Sequence, residues 1–233
     1  MIFNVATLYP EIIISYRKTG IIARGVRDKA IEINAFDIRD FSADKHNRTD
    51  DYPYGGGNGM VMTPQPVCDC IEAIKCGRDV PVIFFSPRGK RLTTQLAKDY
   101  AKKEEMILLC GHYEGIDKRA LDLTVTEEIS IGDYIVTGGH IAAMCFIDAV
   151  SRYVPGVLGK TAGAYSESFE NGLLEYDQYT RPPEFRGMKV PEVLLSGHAA
   201  NIAKYQKQQS ISITERLRGD LIEEYLKEKQ NKG

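Results

Sequence analysis

The run Met106-Ile107-Leu108-Leu109-Cys110 carries no charged or hydrogen-bonding polar side chain at any position. A segment this short and this uniformly apolar is expected for a β-strand covered on both faces, the condition of a parallel sheet between helical layers. Its neighbours fit the same scheme. Ile2 to Leu8 reads as a first buried strand, Ile31 to Phe36 alternates as a second, and Val80 to Phe85 makes a third. Helical stretches lie between them over Pro10 to Lys29, interrupted at Gly20, and over Val67 to Lys75 and Thr93 to Lys103. Strands alternating with helices at this spacing define an α/β chain with a parallel sheet. Ligands of such sheets bind at the carboxyl ends of the strands, which here are the loops after Phe85 and Cys110.

Gly138 to Tyr153 reads as a strongly apolar helix after a double glycine. From Gly156 to Asn171 the chain is poor in large aliphatic residues and rich in Gly, Ser and Thr, so the predicted organisation is a first domain over 1–157, a linker over 158–171 and a smaller, mostly helical domain over 172–233. The last helices are expected over Ala199 to Gln209 and Thr214 to Glu228. Arg39 to Met60 has no convincing period, and a loop this long inside a compact domain is usually functional or disordered.

A net charge of -2 argues against a protein that coats nucleic acid non-specifically, while leaving room for a shaped, locally basic RNA site. No run of about eighteen apolar residues occurs and the first residues lack a basic lead, so a soluble, cytoplasmic protein without membrane contact is expected. Cys68, Cys70, Cys76, Cys110 and Cys145 are odd in number and lack paired zinc-type spacing; they read as reduced thiols, several of them buried, with no metal site.

Glycines cluster beside apolar runs in Cys110-Gly111-His112-Tyr113-Glu114-Gly115-Ile116-Asp117 and again in Ser130-Ile131-Gly132-Asp133-Tyr134-Ile135-Val136-Thr137-Gly138-Gly139. Such glycines suit bare backbone approaching a ligand, and either stretch alone equally suits an ordinary strand-to-helix turn. Neither a GxGxxG after the first strand nor a GxxxxGK[ST] occurs, which removes the physical basis of a dinucleotide or P-loop site. Gly55-Gly56-Gly57-Asn58-Gly59 reads as a loop that closes over substrate or as a plain flexible turn.

Taken together with Asp50-Asp51-Tyr52-Pro53-Tyr54, Ser86-Pro87-Arg88-Gly89, Ser151-Arg152-Tyr153-Val154-Pro155-Gly156 and Tyr179-Thr180-Arg181-Pro182, these stretches resemble the bacterial tRNA guanine-N1 methyltransferases over nearly the whole chain. The resemblance implies a parallel sheet with a deep trefoil knot, an exception to the rule that chains do not thread their own loops. It implies methylation of the guanine at position 37 of tRNA, 3′ of the anticodon, with S-adenosyl-L-methionine as methyl donor, by a homodimer with composite sites. Carried over by position, Gly111, Ile131, Gly132, Asp133, Tyr134, Ile135 and Val136 line the cofactor pocket, with Ser86, Pro87, Glu114, Gly115, Gly138 and Gly139 as neighbours. A magnesium ion (Mg2+) is raised by the resemblance too, but no spacing of acidic residues marks its ligands.

The family's linker aspartate, the base that takes the guanine N1 proton, is Glu167 here, while its arginine matches as Arg152. Glutamate has a similar intrinsic acidity and is one bond, about 1.5 Å, longer. Arg152 also sits four residues from Asp148, the spacing of a helix-surface ion pair. His140 replaces a glutamate and is expected to put a titratable group at the mouth of the pocket; Glu175 replaces an aspartate; and Lys204-Tyr205-Gln206-Lys207-Gln208-Gln209 has glutamines at two positions that are often basic. These departures leave two other readings open: a knotted methyltransferase acting on a different RNA, and a non-catalytic paralogue that binds RNA or cofactor.

Overall fold

Alternation along the buried strands sends successive side chains to two helical layers. The structure, a computed structural model, describes residues 1–159 and 167–231. In chain order the elements are β1 (Ile2–Thr7), α1 (Pro10–Tyr16), α2 (Gly20–Arg27), β2 (Glu32–Asp37), the short pair β3 (Asp50–Asp51) and β4 (Val61–Met62), α3 (Pro64–Lys75), β5 (Val82–Arg91), α4 (Thr94–Tyr100), β6 (Glu105–Leu109), α5 (Lys118–Thr124), β7 (Glu127–Ser130) and α6 (Gly139–Ser151). The main sheet has five strands in the order β2-β1-β6-β5-β7, all parallel. Met106 and Leu108 of β6 pack with Phe3, Val5 and Ile83 against α6, whose Ala142, Ala143, Phe146, Ile147 and Val150 are buried. Ile107 and Leu109 face the opposite layer with Val82, Phe84 and the α3 residues Val67, Cys70, Ile71 and Ile74. Each fully buried aliphatic or aromatic side chain contributes about 1.5–3 kcal/mol, so these two layers are the main source of stability. Phe146 is held edge-on between Phe85 and Tyr100, at ring distances of 5.6 and 5.0 Å.

One expectation needs correction here. The strand read over Val80 to Phe85 does not stop before Ser86-Pro87-Arg88-Gly89; β5 runs to Arg91 because β7, with its acidic start, pairs with it twice over. Ile129 is the partner of both Phe85 and Lys90, with the register shifting between them. Ile131 to Val136 form a loop after β7. The long segment after Arg39 contains a 3-10 turn (Ile38–Phe41) and the antiparallel ladder Asp50↔Met62 and Asp51↔Val61, which carries the glycine loop at its tip.

By internal contacts the chain divides into two units, Met1–Thr161 and Ala162–Gly233. Residues 160–166 of the expected linker lie outside the described residues. In the second unit, β8 (Glu184–Phe185) and β9 (Met188–Lys189) form a hairpin, followed by α7 (Glu192–Leu195), α8 (Ala199–Leu217) and α9 (Gly219–Asn231). The helix break expected near residues 210–213 falls instead at Arg218. Ser210, Ile213 and Thr214 are buried, and the Thr214 hydroxyl donates to the Ser210 carbonyl at 2.6 Å and accepts the Leu174 N–H at 2.9 Å. Packing therefore overrides the weak helical propensity of the Ser-Ile-Ser-Ile segment. No helix among the described residues is long and apolar enough to cross a membrane.

Candidate active site

The carboxyl ends of β5, β6 and β7 open into a cavity of about 690 Å³, within the range of about 300–1,000 Å³ typical of small-molecule sites. Of the residues singled out from the sequence, it brings together Ser86, Pro87, Gly111, Glu114, Gly115, Ile131, Gly132, Tyr134, Ile135, Val136, Gly138 and Gly139. Asp133 does not line it; this exposed carboxylate pairs with Arg91. Arg152 caps the carboxyl end of α6 and does not line the cavity, and Glu167 begins a turn in the second unit.

Phe84, Ile116, Leu121, Ile129 and Ala142 give the cavity an apolar wall, while the loops supply main-chain polar groups. Ser86 has both roles of its hydroxyl occupied: it donates to Glu128 Oε2 at 2.7 Å and accepts the Arg88 N–H at 3.0 Å. Glu128 thereby fixes the loop after the first part of β5, a contribution that sequence reading missed because an acidic residue opening a strand gives no local sign of its partner. On the opposite rim the Glu114 N–H donates to the Met60 carbonyl at 2.9 Å and the Met62 N–H to Gly115 at 2.9 Å, tying the glycine loop to the cavity.

The glycines have a more specific cause than ligand approach. A Cβ on Gly139 would stand 2.7 Å from the Gly111 nitrogen and 2.9 Å from Cys110 Cα, and the Gly139 N–H donates to the Gly111 carbonyl at 2.8 Å. A Cβ on Gly89 would meet the Ile129 nitrogen and lie 2.5 Å from the Glu128 carbonyl carbon. At these places backbone lies directly against backbone, and a side chain has no room.

His140 stands behind the wall rather than at the pocket mouth. It is 9% exposed, packed against Tyr9 at a ring distance of 5.5 Å and near His112 at 6.4 Å. The Tyr9 hydroxyl and His112 Nε2 share a hydrogen bond of 3.2 Å. Burial first, and then the neighbouring His112, hold the His140 imidazole below its ordinary pKa, with Glu11 opposing. The residue is therefore neutral at pH 7. The unfolded chain takes up this proton near its usual value of about 6.5 and the folded chain resists it, so stability is full above that pH and declines as pH falls below it. The unfolding temperature of the His140→Gln variant is expected to drop less than the parent's between about pH 7.5 and 5.5. Equal drops would remove His140 as the cause.

Burial raises the thiol pKa of Cys70, to about 12, and that of Cys110, so both are inert at neutral pH. Among the described residues no three His, Cys, Asp or Glu side chains gather into a metal-binding group.

A parallel α/β sheet whose strand ends hold a cavity walled by apolar side chains and bare backbone, without a phosphate loop, is the build of an enzyme domain for a small organic cofactor. A family model described as tRNA (Guanine-1)-methyltransferase TrmD matches residues 1–224, and the chain belongs to that family. The tRNA (guanine-N(1)-)-methyltransferase of Lachnospira eligens is 52% identical over 229 residues, covering 97% of each chain. That of Ruminiclostridium cellulolyticum is 55% identical over 225 residues, 95% of this chain and 96% of its own, and that of Clostridioides difficile 50% identical over 224 residues, 95% and 97%.

Proposed function

We propose that this protein transfers a methyl group from S-adenosyl-L-methionine to N1 of the guanine at position 37 of tRNA, as a cytoplasmic homodimer. The observation that carries the reading is the cavity at the ends of β5, β6 and β7, formed by the stretches that match the family. Its donor set suits the cofactor: an apolar wall from Phe84, Ile116 and Leu121 for a purine ring, main-chain groups of 111–115 and 131–136 for ring and ribose edges, and the Glu114 carboxylate for a cationic end. When bound, the cofactor supplies an electrophilic methyl group on a sulfonium.

The remaining chemistry belongs to the protein. Guanine N1 carries a proton and becomes a good nucleophile only on losing it, which is the role assigned to the Glu167 carboxylate. Negative charge then develops toward guanine O6, where the Arg152 guanidinium stabilises it. A partner chain that brings Glu167 to the site is part of this reading, as the resemblance to the family implies. The second unit, with Lys204, Tyr205 and Lys207 on α8, is assigned to holding tRNA.

Support for the trefoil knot comes from the irregular register by which Ile129 pairs with both Phe85 and Lys90, and from the tight seating of Gly139 on Gly111.

The deciding experiment supplies labelled S-adenosylmethionine with an unmodified tRNA transcript bearing guanine at position 37, beside one bearing adenine. Label on the first alone, mapped to N1, is the expected result. Label on another RNA or atom moves the assignment to a different substrate, and cofactor binding without turnover identifies a binding paralogue.

A further inference from the structure

Among the described residues of the first unit, the most exposed large hydrophobic side chain is Tyr54, fully solvent-accessible, followed by Ile135 at 80% and Tyr52 at 79%. Tyr52 and Tyr54 stand at the tip of the β3–β4 excursion, directly before Gly55, Gly56 and Gly57, whose φ values of 86°, 77° and 129° lie where only glycine sits without strain. A Cβ on Gly55 or Gly56 would meet nothing within 4 Å, so no packed neighbour restrains the tip. The base of the excursion is anchored on the cavity rim: Glu114, which lines the cavity, donates its N–H to Met60, and its side chain lies where a Cβ on Gly59 would fall, 2.6 Å from the carboxylate Oε1. A single exposed ring is ordinary on a protein surface; what sets Tyr54 apart is its place on an excursion anchored to the cavity rim.

We infer that Tyr54 is a base-stacking residue, closing on the π-face of a nucleobase next to the methylated guanine when tRNA engages. The occupant is RNA rather than an apolar peptide. The tip offers isolated, exposed rings beside glycines of positive φ, the arrangement that accepts flat, unstacked bases. The cation beside Tyr54, the Arg119 guanidinium, is already paired with Asp117 at 2.8 Å, so stacking is the interaction assigned to the ring. The inference rests on the proposed RNA substrate.

The test compares Tyr54→Ala, Tyr54→Phe and Tyr54→Trp in the full-length protein with a tRNA carrying 2-aminopurine on the 5′ side of the target guanine. Tyr54→Ala is expected to raise KM for tRNA on the order of tenfold and to weaken the 2-aminopurine fluorescence change on binding, while cofactor affinity and unfolding temperature stay at parental values. Phe and Trp should restore both readouts. Parental KM and fluorescence in Tyr54→Ala, or loss that Phe and Trp do not restore, overturns the inference. If the parent protein binds the RNA but does not methylate it, the fluorescence arm still reads Tyr54 and only the reaction assigned above fails.

Discussion

Replacing Glu167 by glutamine is expected to lower kcat for tRNA methylation by about 10²- to 10⁴-fold, the usual contribution of a positioned general base, with little change in cofactor affinity. Glutamine keeps the length and hydrogen-bonding capacity of the side chain and removes only the basic electron pair. The Glu167→Asp variant, which restores the residue usual in the family, should keep kcat within about tenfold, since a displacement of about 1 Å costs on the order of a hundredfold only where the surroundings cannot adjust. Raising the pH offers an independent check: deprotonating guanine N1 in solution should recover part of the Glu167→Gln rate and little of an Arg152→Ala rate, because the arginine acts on charge at O6. Mixing Arg152→Ala with Glu167→Gln subunits then asks which chain each residue serves. Partial recovery in the mixture places them in one site from two chains, whereas no recovery puts both on the same chain. A Glu167→Gln enzyme with parental kcat would assign the proton transfer to another group.

Most of the sheet could be read from residues alone, because β1 and β6 are largely apolar runs and β2 alternates, patterns visible without knowing their partners. β7 escaped that reading for a definite reason. Its sequence Glu-Glu-Ile-Ser looks polar, yet Glu127 accepts the Tyr100 hydroxyl at 2.8 Å and Glu128 accepts that of Ser86 at 2.7 Å, partners 27 and 42 residues away. Periodicity sees one segment at a time and cannot register a long-range acceptor. The same limit explains α8, where the buried Thr214 hydroxyl accepts the N–H of Leu174, 40 residues away, and donates within the helix to the Ser210 carbonyl. The cofactor-site residues came from matching motifs and nearly all reached one cavity; Asp133 did not, since a loop of alternating orientation sends its carboxylate to Arg91. His140 shows the opposite error, a charge inferred from residue type that burial removes.

The largest effect on folding is expected from a single methyl group. In Gly89→Ala the new Cβ meets the Glu128–Ile129 peptide, with the Glu128 carbonyl carbon at 2.5 Å; in Gly139→Ala it meets the Gly111 nitrogen at 2.7 Å. Both obstacles are backbone of the central sheet and its loops, which cannot turn aside as a side chain can. Overpacking a core usually costs about 1–3 kcal/mol, and a backbone obstacle belongs at or beyond the upper end of that range. In a unit of this size about 3 kcal/mol corresponds to a fall of roughly 6–12 °C in unfolding temperature. Gly159→Ala supplies the comparison, because its nearest neighbour would be the Arg24 guanidinium at an ordinary 3.6 Å and its expected change is within about 0.5 kcal/mol. The close approach also separates two meanings of glycine in this family of motifs. If Gly139→Ala lost cofactor affinity while keeping its unfolding temperature, the residue would be there for the ligand. A fall in stability that follows these distances, greatest at Gly89 and absent at Gly159, ties these glycines to the close approach of one backbone segment to another.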